Sequence, residues 1–221
     1  MATTTSKYLF WCDIEATCKN GKVAKILEIA GIVTTKNLSP VARFHDVIHH
    51  ERGALDPYLS AWSLDQHTRS GLLEECYRST LSLREVEARL YAFLNKFRKF
   101  SDAFPFLTET EEPSTTNATS TDNKNTQTMM IRLAGSGIAF DRDCLEHEMP
   151  RVAEILHYQL LDVTSWLKGF NWWAPNWRSA KPTQMHRHEH RAVSDVEDSL
   201  HLMQFYRQCV LKLNLLPVPK S

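Results

Sequence analysis

The chain has 221 residues, 26 Lys plus Arg against 26 Asp plus Glu, no net charge at neutral pH and a hydrophobic fraction of 43%. That much apolar material builds one sizeable core, so a single globular domain spanning residues 1–221 is expected. The charge balance excludes the strong positive bias that holds long nucleic acids regardless of sequence, so any nucleic-acid ligand has to be short or held locally.

Met1 to Lys7 is short and polar and leads at once into a strand-like run, leaving no room for a secretory signal. No apolar stretch reaches membrane-spanning length, so no membrane partner is expected. Tyr8-Leu-Phe-Trp-Cys12 is a continuous apolar and aromatic run, and Ile26 to Thr35 is a second, β-branched one. Both suit strands buried on two faces. Val41 to His49 alternates more and predicts a third strand. From Leu83, apolar residues at Val86, Leu90, Phe93, Leu94 and Phe97 mark one face of a packing helix.

Between about residues 101 and 128 the composition shifts to Ser, Thr, Asn, Glu and Asp, too polar to bury, which predicts a disordered surface insertion with no catalytic part. Order resumes with a strand at Met129 to Ala134, a turn at Gly135-Ser-Gly137, and a helical stretch from Asp141 to His157 interrupted by Pro150. Tyr158 to Val163 predicts a last short strand. The final helix, from about Asp195 to Leu211, places Val196, Leu200, Met203, Tyr206 and Val210 on one face. Strands first, then alternating helix and strand, indicate an α/β fold. The five cysteines, Cys12, Cys18, Cys76, Cys144 and Cys209, are odd in number, scattered and without a CxxC pair. They argue against a disulfide framework or a cysteine zinc site and for reduced thiols in a cytoplasmic or organellar setting. In that setting the sequon-like Asn117-Ala-Thr119 has no consequence.

The chemistry lies in the acids. Asp13 and Glu15 are two apart at the end of a buried strand, so both carboxylates point to the same side. Asp141 follows a strand and a glycine turn, and Asp195 opens the last helix five residues after His190. Four converging carboxylates repel one another without a bound cation, and hard oxygen ligands of this kind select Mg²⁺ or Mn²⁺. A pair of such ions suits hydrolysis of a phosphodiester by in-line displacement. His190, whose residue type titrates near neutral pH, is the candidate general base.

The D-x-E of Asp13-Ile-Glu15, the distant Asp141 and the H-x4-D from His190 to Asp195 resemble the DEDDh group of 3′→5′ exonucleases. Within it the chain most resembles the oligoribonuclease family, through Ile26-Leu-Glu28-Ile-Ala30, Trp62-Ser-Leu-Asp-Gln-His67-Thr-Arg-Ser70-Gly-Leu72, Phe140-Asp-Arg142 and Tyr158-Gln-Leu-Leu-Asp162-Val. The resemblance spans nearly the whole chain except the insertion. It implies a ribonuclease H-like mixed β-sheet flanked by α-helices, and a catalytic set of Asp13, Glu15, Asp141, His190 and Asp195. The four acids would be metal ligands for two ions, and the substrate short single-stranded RNA or DNA, with RNA the family's expectation. The family also implies a homodimer.

By the same resemblance Trp62 and His67 contact the terminal nucleotide, and Tyr158 of a partner subunit, Thr164 and Ser165 contact substrate around the 5′ phosphate. Read without the resemblance, Trp62 is a core aromatic, His67 a surface residue and Tyr158 an inward strand residue. Three positions depart from the family pattern: Lys19 replaces a wedging leucine, Gln159 an arginine that caps the 5′ phosphate, and Gly137 a serine. Gln159 lacks the fixed charge and bidentate fork of arginine, while Lys19 can substitute in part or track a longer strand. Asp13-Ile-Glu15-Ala-Thr-Cys18 is itself closer to the histone-mRNA and small-RNA trimming exonucleases of the group, which implies a broader 3′-trimming role as the alternative.

Other readings weigh less. Met185-His186-Arg-His188-Glu-His190 invites zinc, but alternating spacing on a loop suits tetrahedral closure poorly. A nucleic-acid-binding protein that had lost catalysis would lack a carboxylate or the histidine, and all are present. Trp166, Trp172, Trp173 and Trp177 form either packing or a second stacking surface, with packing favoured. Asp143, Asp162, Glu197 and Asp198 read as structural or solvated.

Overall fold

The computed structural model describes residues 5–98, 129–173 and 190–212. The insertion at 101–128, His186, His188 and Trp177 lie outside the described residues. The elements are β1 (Thr5–Ala16), β2 (Ile26–Thr35), β3 (Pro40–Val47), α1 (Ala61–Arg69), α2 (Leu72–Arg78), α3 (Leu83–Asn95), β4 (Met130–Gly135), α4 (Ala139–Glu148), α5 (Pro150–Ala153), β5 (Leu156–Asp162), α6 (Val163–Trp173) and α7 (Ala192–Lys212). The strands form one sheet in the order β3-β2-β1-β4-β5. β1 pairs antiparallel with β2, and β2 with β3, whereas β1, β4 and β5 run parallel.

The apolar run of β1 makes it the central strand, because only a strand covered on both faces can bury every side chain from Phe10 to Cys12. On one face Phe10, Cys12, Ile14, Ile29 and Val33 pack with Val86, Leu90 and Leu94 of α3 and Cys144 and Leu145 of α4. On the other, Leu9, Trp11, Ala30 and Ile32 pack with Val196, Leu200, Met203 and Tyr206 of α7. The predicted stripes of α3 and α7 are therefore the faces that meet the sheet; the side chain of Val210 lies outside the described residues. A capping box of Ser82 and Glu85 starts α3.

Several boundaries differ from the sequence expectation. The helical stretch predicted over 141–157 starts at Ala139, divides at Pro150 and ends at Ala153, because Leu156 and His157 pair with Ile131 and Arg132 and begin β5. The last helix starts at Ala192, a turn's length before Asp195 completes its first turn. The helices α1, α2 and α6 were not among the expected elements, although Val163, Trp166, Leu167 and Phe170 of α6 fall at helical spacing. α1 and α2 are short and share a small satellite core of Leu27, Leu55, Leu72, Leu73 and Cys76. In α6 only Val163 and Gly169 are buried. The five cysteines are free thiols. Among the described residues no helix is long and apolar enough to cross a membrane.

Candidate active site

Strand alternation decides the site. Leu9 and Trp11 face α7, so Asp13 and Glu15, two and four residues further, face it as well. The C-terminal end of β1 opens into a cleft of about 350 Å³ lined by Asp13, Glu15, Lys19, Trp62, Phe140 and Asp195, with Ile14, Ala16, Cys18 and Ser63 completing its wall. Asp141 enters from the first turn of α4 and is buried. The turn that delivers it needs glycine twice. A Cβ on Gly135 would stand 2.6 Å from the Cys12 carbonyl oxygen, and Gly137 has φ +64°. The Ser199 hydroxyl donates to Ser136 at 2.8 Å and ties α7 to this turn.

Acid atoms of Glu15 and Asp195 and a ring nitrogen of His190 all lie within 4.8 Å of one another. Burial, then the charges of Asp195 and Glu28, push the Glu15 carboxyl up to about 8, with Arg191 opposing. Asp13 is raised well above the carboxylate range by desolvation and then by Asp141, Glu15 and Asp195. Asp141 is raised in the same direction, chiefly by burial, against hydrogen bonds from its own and the Ile14 backbone. Three mutually repelling acids held above their ordinary range at the end of β1 are short of positive charge. Their oxygens are the hard donors that Mg²⁺ and Mn²⁺ take, so the residues present fit divalent cations.

His190 sits at the entrance to α7 with φ +46°, a left-handed conformation rare outside glycine. Its ring stands edge-on to Trp62 with centroids 5.4 Å apart. Trp62 is 44% exposed, so it is not a core aromatic. Lys19 Nζ lies 4.4 Å from the Trp62 ring centroid. The structure thus brings together Asp13, Glu15, Asp141, His190, Asp195, Trp62 and Lys19.

His67 is not a surface residue. It is buried behind Glu15: Nε2 bonds to the Ala16 carbonyl at 3.0 Å and Nδ1 lies 3.9 Å from Glu15. The cause is α1, whose cap Ser60 bonds to Thr17 and pulls the helix against the end of β1. Burial lowers the His67 pKa. Tyr158 does not pack inward; it is 74% exposed and stacks on His157. The Thr164 amide and the Ser165 hydroxyl both donate to Asp162, which also accepts from the Gly137 amide, so Asp162 is a turn-holding acid. Tyr158, Thr164 and Ser165 do not line this cleft. Gln159 accepts from Arg132 Nη2 at 2.9 Å, so a guanidinium stands one strand away from the position that lacks one. Trp172 and Trp173 are 71% and 83% exposed, contrary to packing in the core of the chain.

Sequence reasoning gave no role to Glu28, Glu75, His45 or Arg191. Glu28 is fully buried on β2, opposite Glu15, and bonds to Arg191, to His45 and to the Ala192 amide. Burial opposes its ionisation, but the His45 and Arg191 hydrogen bonds outweigh this and lower its pKa. The signal that could have found it is a lone acid inside the β-branched run 26–35, which cannot be buried without partners.

A profile of the Exonuclease family, RNase T, matches residues 10–112. A Schizosaccharomyces pombe protein named "Probable oligoribonuclease" is 30% identical over 90% of this chain and 67% of its own length. The "Oligoribonuclease" of Francisella tularensis subsp. novicida is 27% identical over 93% of this chain and 97% of its own. Among solved structures, exonuclease I of Methylocaldum szegediense superposes with a TM-score of 0.61 at 15% identity, covering 93% of this chain. The chain spans 41% of that structure, and the likeness is one of fold.

Proposed function

The chain belongs to the oligoribonuclease family and is an exoribonuclease; we propose that, as a single domain, it removes nucleotides from the 3′ end of short single-stranded RNA and releases 5′-mononucleotides. The observation that carries this reading is one cleft in which Asp13, Glu15 and Asp195 share a wall with an exposed tryptophan and a lysine. Asp13, Glu15, Asp141 and Asp195 would hold two Mg²⁺ or Mn²⁺ ions, which supply Lewis-acid activation of water and neutralise charge on the departing oxygen.

The protein's own groups do the rest. Trp62 offers a face on which the terminal base stacks without regard to sequence. Lys19 beside it offers a charge to a backbone phosphate. His190 takes the proton of the attacking water. The new P–O bond forms as the bond to the preceding 3′ oxygen breaks, and that oxygen takes a proton from solvent water, leaving a 5′-phosphorylated nucleotide and a free 3′ hydroxyl. Tyr158, Trp172 and Trp173 expose apolar area along the β5 and α6 side, which supports a homodimer formed there, with Tyr158, Thr164 and Ser165 serving the partner's substrate.

The lysine on Trp62, where the family has a leucine, favours a broader trimming role as the second reading. End-labelled RNA of two, five and twenty nucleotides, with Mg²⁺ or Mn²⁺, beside the same lengths of DNA, separates the two. Rapid cleavage of the short RNAs alone supports the proposal, an even ladder from the twenty-mer supports trimming, and no cleavage with either metal overturns both.

A further inference from the structure

We propose that Arg191, clamped between Glu28 and Glu75, is a positioning residue that fixes His190 over the carboxylates of the cleft. The inference rests on the reading of His190 as general base and adds what holds it in place. Arg191 Nε and Nη2 donate to the two Glu28 oxygens, both at 3.1 Å. On its other side Nη1 and Nη2 donate to the two Glu75 oxygens at 2.8 and 2.7 Å. Two carboxylates, one from β2 and one from α2, therefore set both the plane and the depth of the guanidinium.

Glu28 also fixes the next residue. Its Oε2 accepts from the Ala192 amide at 3.1 Å, at the first residue of α7, and so satisfies an amide that has no partner inside the helix. His45 Nε2 lies 2.7 Å from Glu28 Oε1 and holds that carboxylate from the β3 side. One buried acid thus anchors the residues directly after His190 and the helix that presents Asp195. This accounts for the backbone of His190. A φ of +46° in a residue with a Cβ is unfavourable and persists only where its neighbours over-determine it. Release of Arg191 lets the 190 backbone relax and moves the imidazole away from Glu15 and Asp195.

The test is a double-mutant cycle on kcat with short RNA. Arg191→Lys keeps the charge but loses the fork, and Glu75→Gln loosens only the half-exposed arm. Arg191→Lys is expected to lower kcat about tenfold with KM within about twofold, as displacement of a catalytic group does. In a His190→Ala background the same change is expected to alter the residual kcat less than about twofold, because a group that acts through His190 has nothing left to act on. Glu75→Gln should follow Arg191→Lys with a smaller loss. Arg52→Lys, in a similar fork to the neighbouring Glu74, should leave kcat unchanged. Equal fold losses in both backgrounds, or wild-type kcat in Arg191→Lys, would overturn the clamp. Wild-type kcat in His190→Ala alone would instead remove the base assignment, and the clamp with it.

Discussion

Removal of divalent cations should make this protein less stable as pH rises. Glu15 is pushed up to about 8 in the folded chain against an ordinary value of 4.5. A raised carboxylate binds more protons folded than unfolded, so its contribution is fully present below the unfolded pKa and is lost as pH climbs through the folded one. Between pH 7 and 8 Glu15 alone should remove about 1 kcal/mol of stability, which lowers Tm by roughly 2–4 °C in a chain of this size. Asp13 and Asp141, raised for the same reasons, act in the same direction. His50 and His67, lowered by burial, act oppositely, but most of their effect lies below the ordinary histidine value and is small in this window. The assay is thermal denaturation in EDTA at pH 7 and pH 8, repeated with Mn²⁺. Mn²⁺ should cancel or reverse the slope, because cation binding favours the ionised acids. Glu15→Gln should flatten the slope in EDTA and leave the metal-free chain more stable than wild type at pH 8. A Tm in EDTA that holds or rises from pH 7 to 8 would refute the electrostatic account of the cleft.

Four further outcomes are expected. Asp13→Asn and His190→Ala should each lower kcat by about 10² or more while circular dichroism and Tm in EDTA stay at or above wild type. Lys19→Ala should raise KM and reduce the salt slope of RNA binding by about one, and Trp62→Ala should weaken binding by about 1–3 kcal/mol, both read by fluorescence titration at several salt concentrations. Trp172→Ser with Trp173→Ser should shift the light-scattering mass from two chains to one. Leu90→Ala, at a fully buried position facing the sheet, should cost about 2–5 kcal/mol in urea unfolding.

The apolar runs Tyr8–Cys12 and Ile26–Thr35 and the stripe Val86, Leu90, Leu94 determined the central strands and the α3 packing face, because burial periodicity is a local property of the chain. Strand alternation likewise put Asp13 and Glu15 on one side of β1, whereas the grouping of Asp141, His190 and Asp195 with them was implied by the resemblance of their motifs to the DEDDh exonucleases. What the chain order alone could not decide was which side chains reach the cleft. His67 lies one helix turn beyond Ser63, yet it is buried behind Glu15 while Trp62 stays exposed, an outcome set by how α1 docks on the end of β1. The partners of Glu28 were equally hidden. Arg191 is 163 residues away in sequence, and only the sheet register opposite Glu15 and the approach of α7 place its guanidinium on that carboxylate. Local pattern determines what a segment must bury; long-range packing decides which polar groups then meet, because that depends on the angle and register at which whole elements dock.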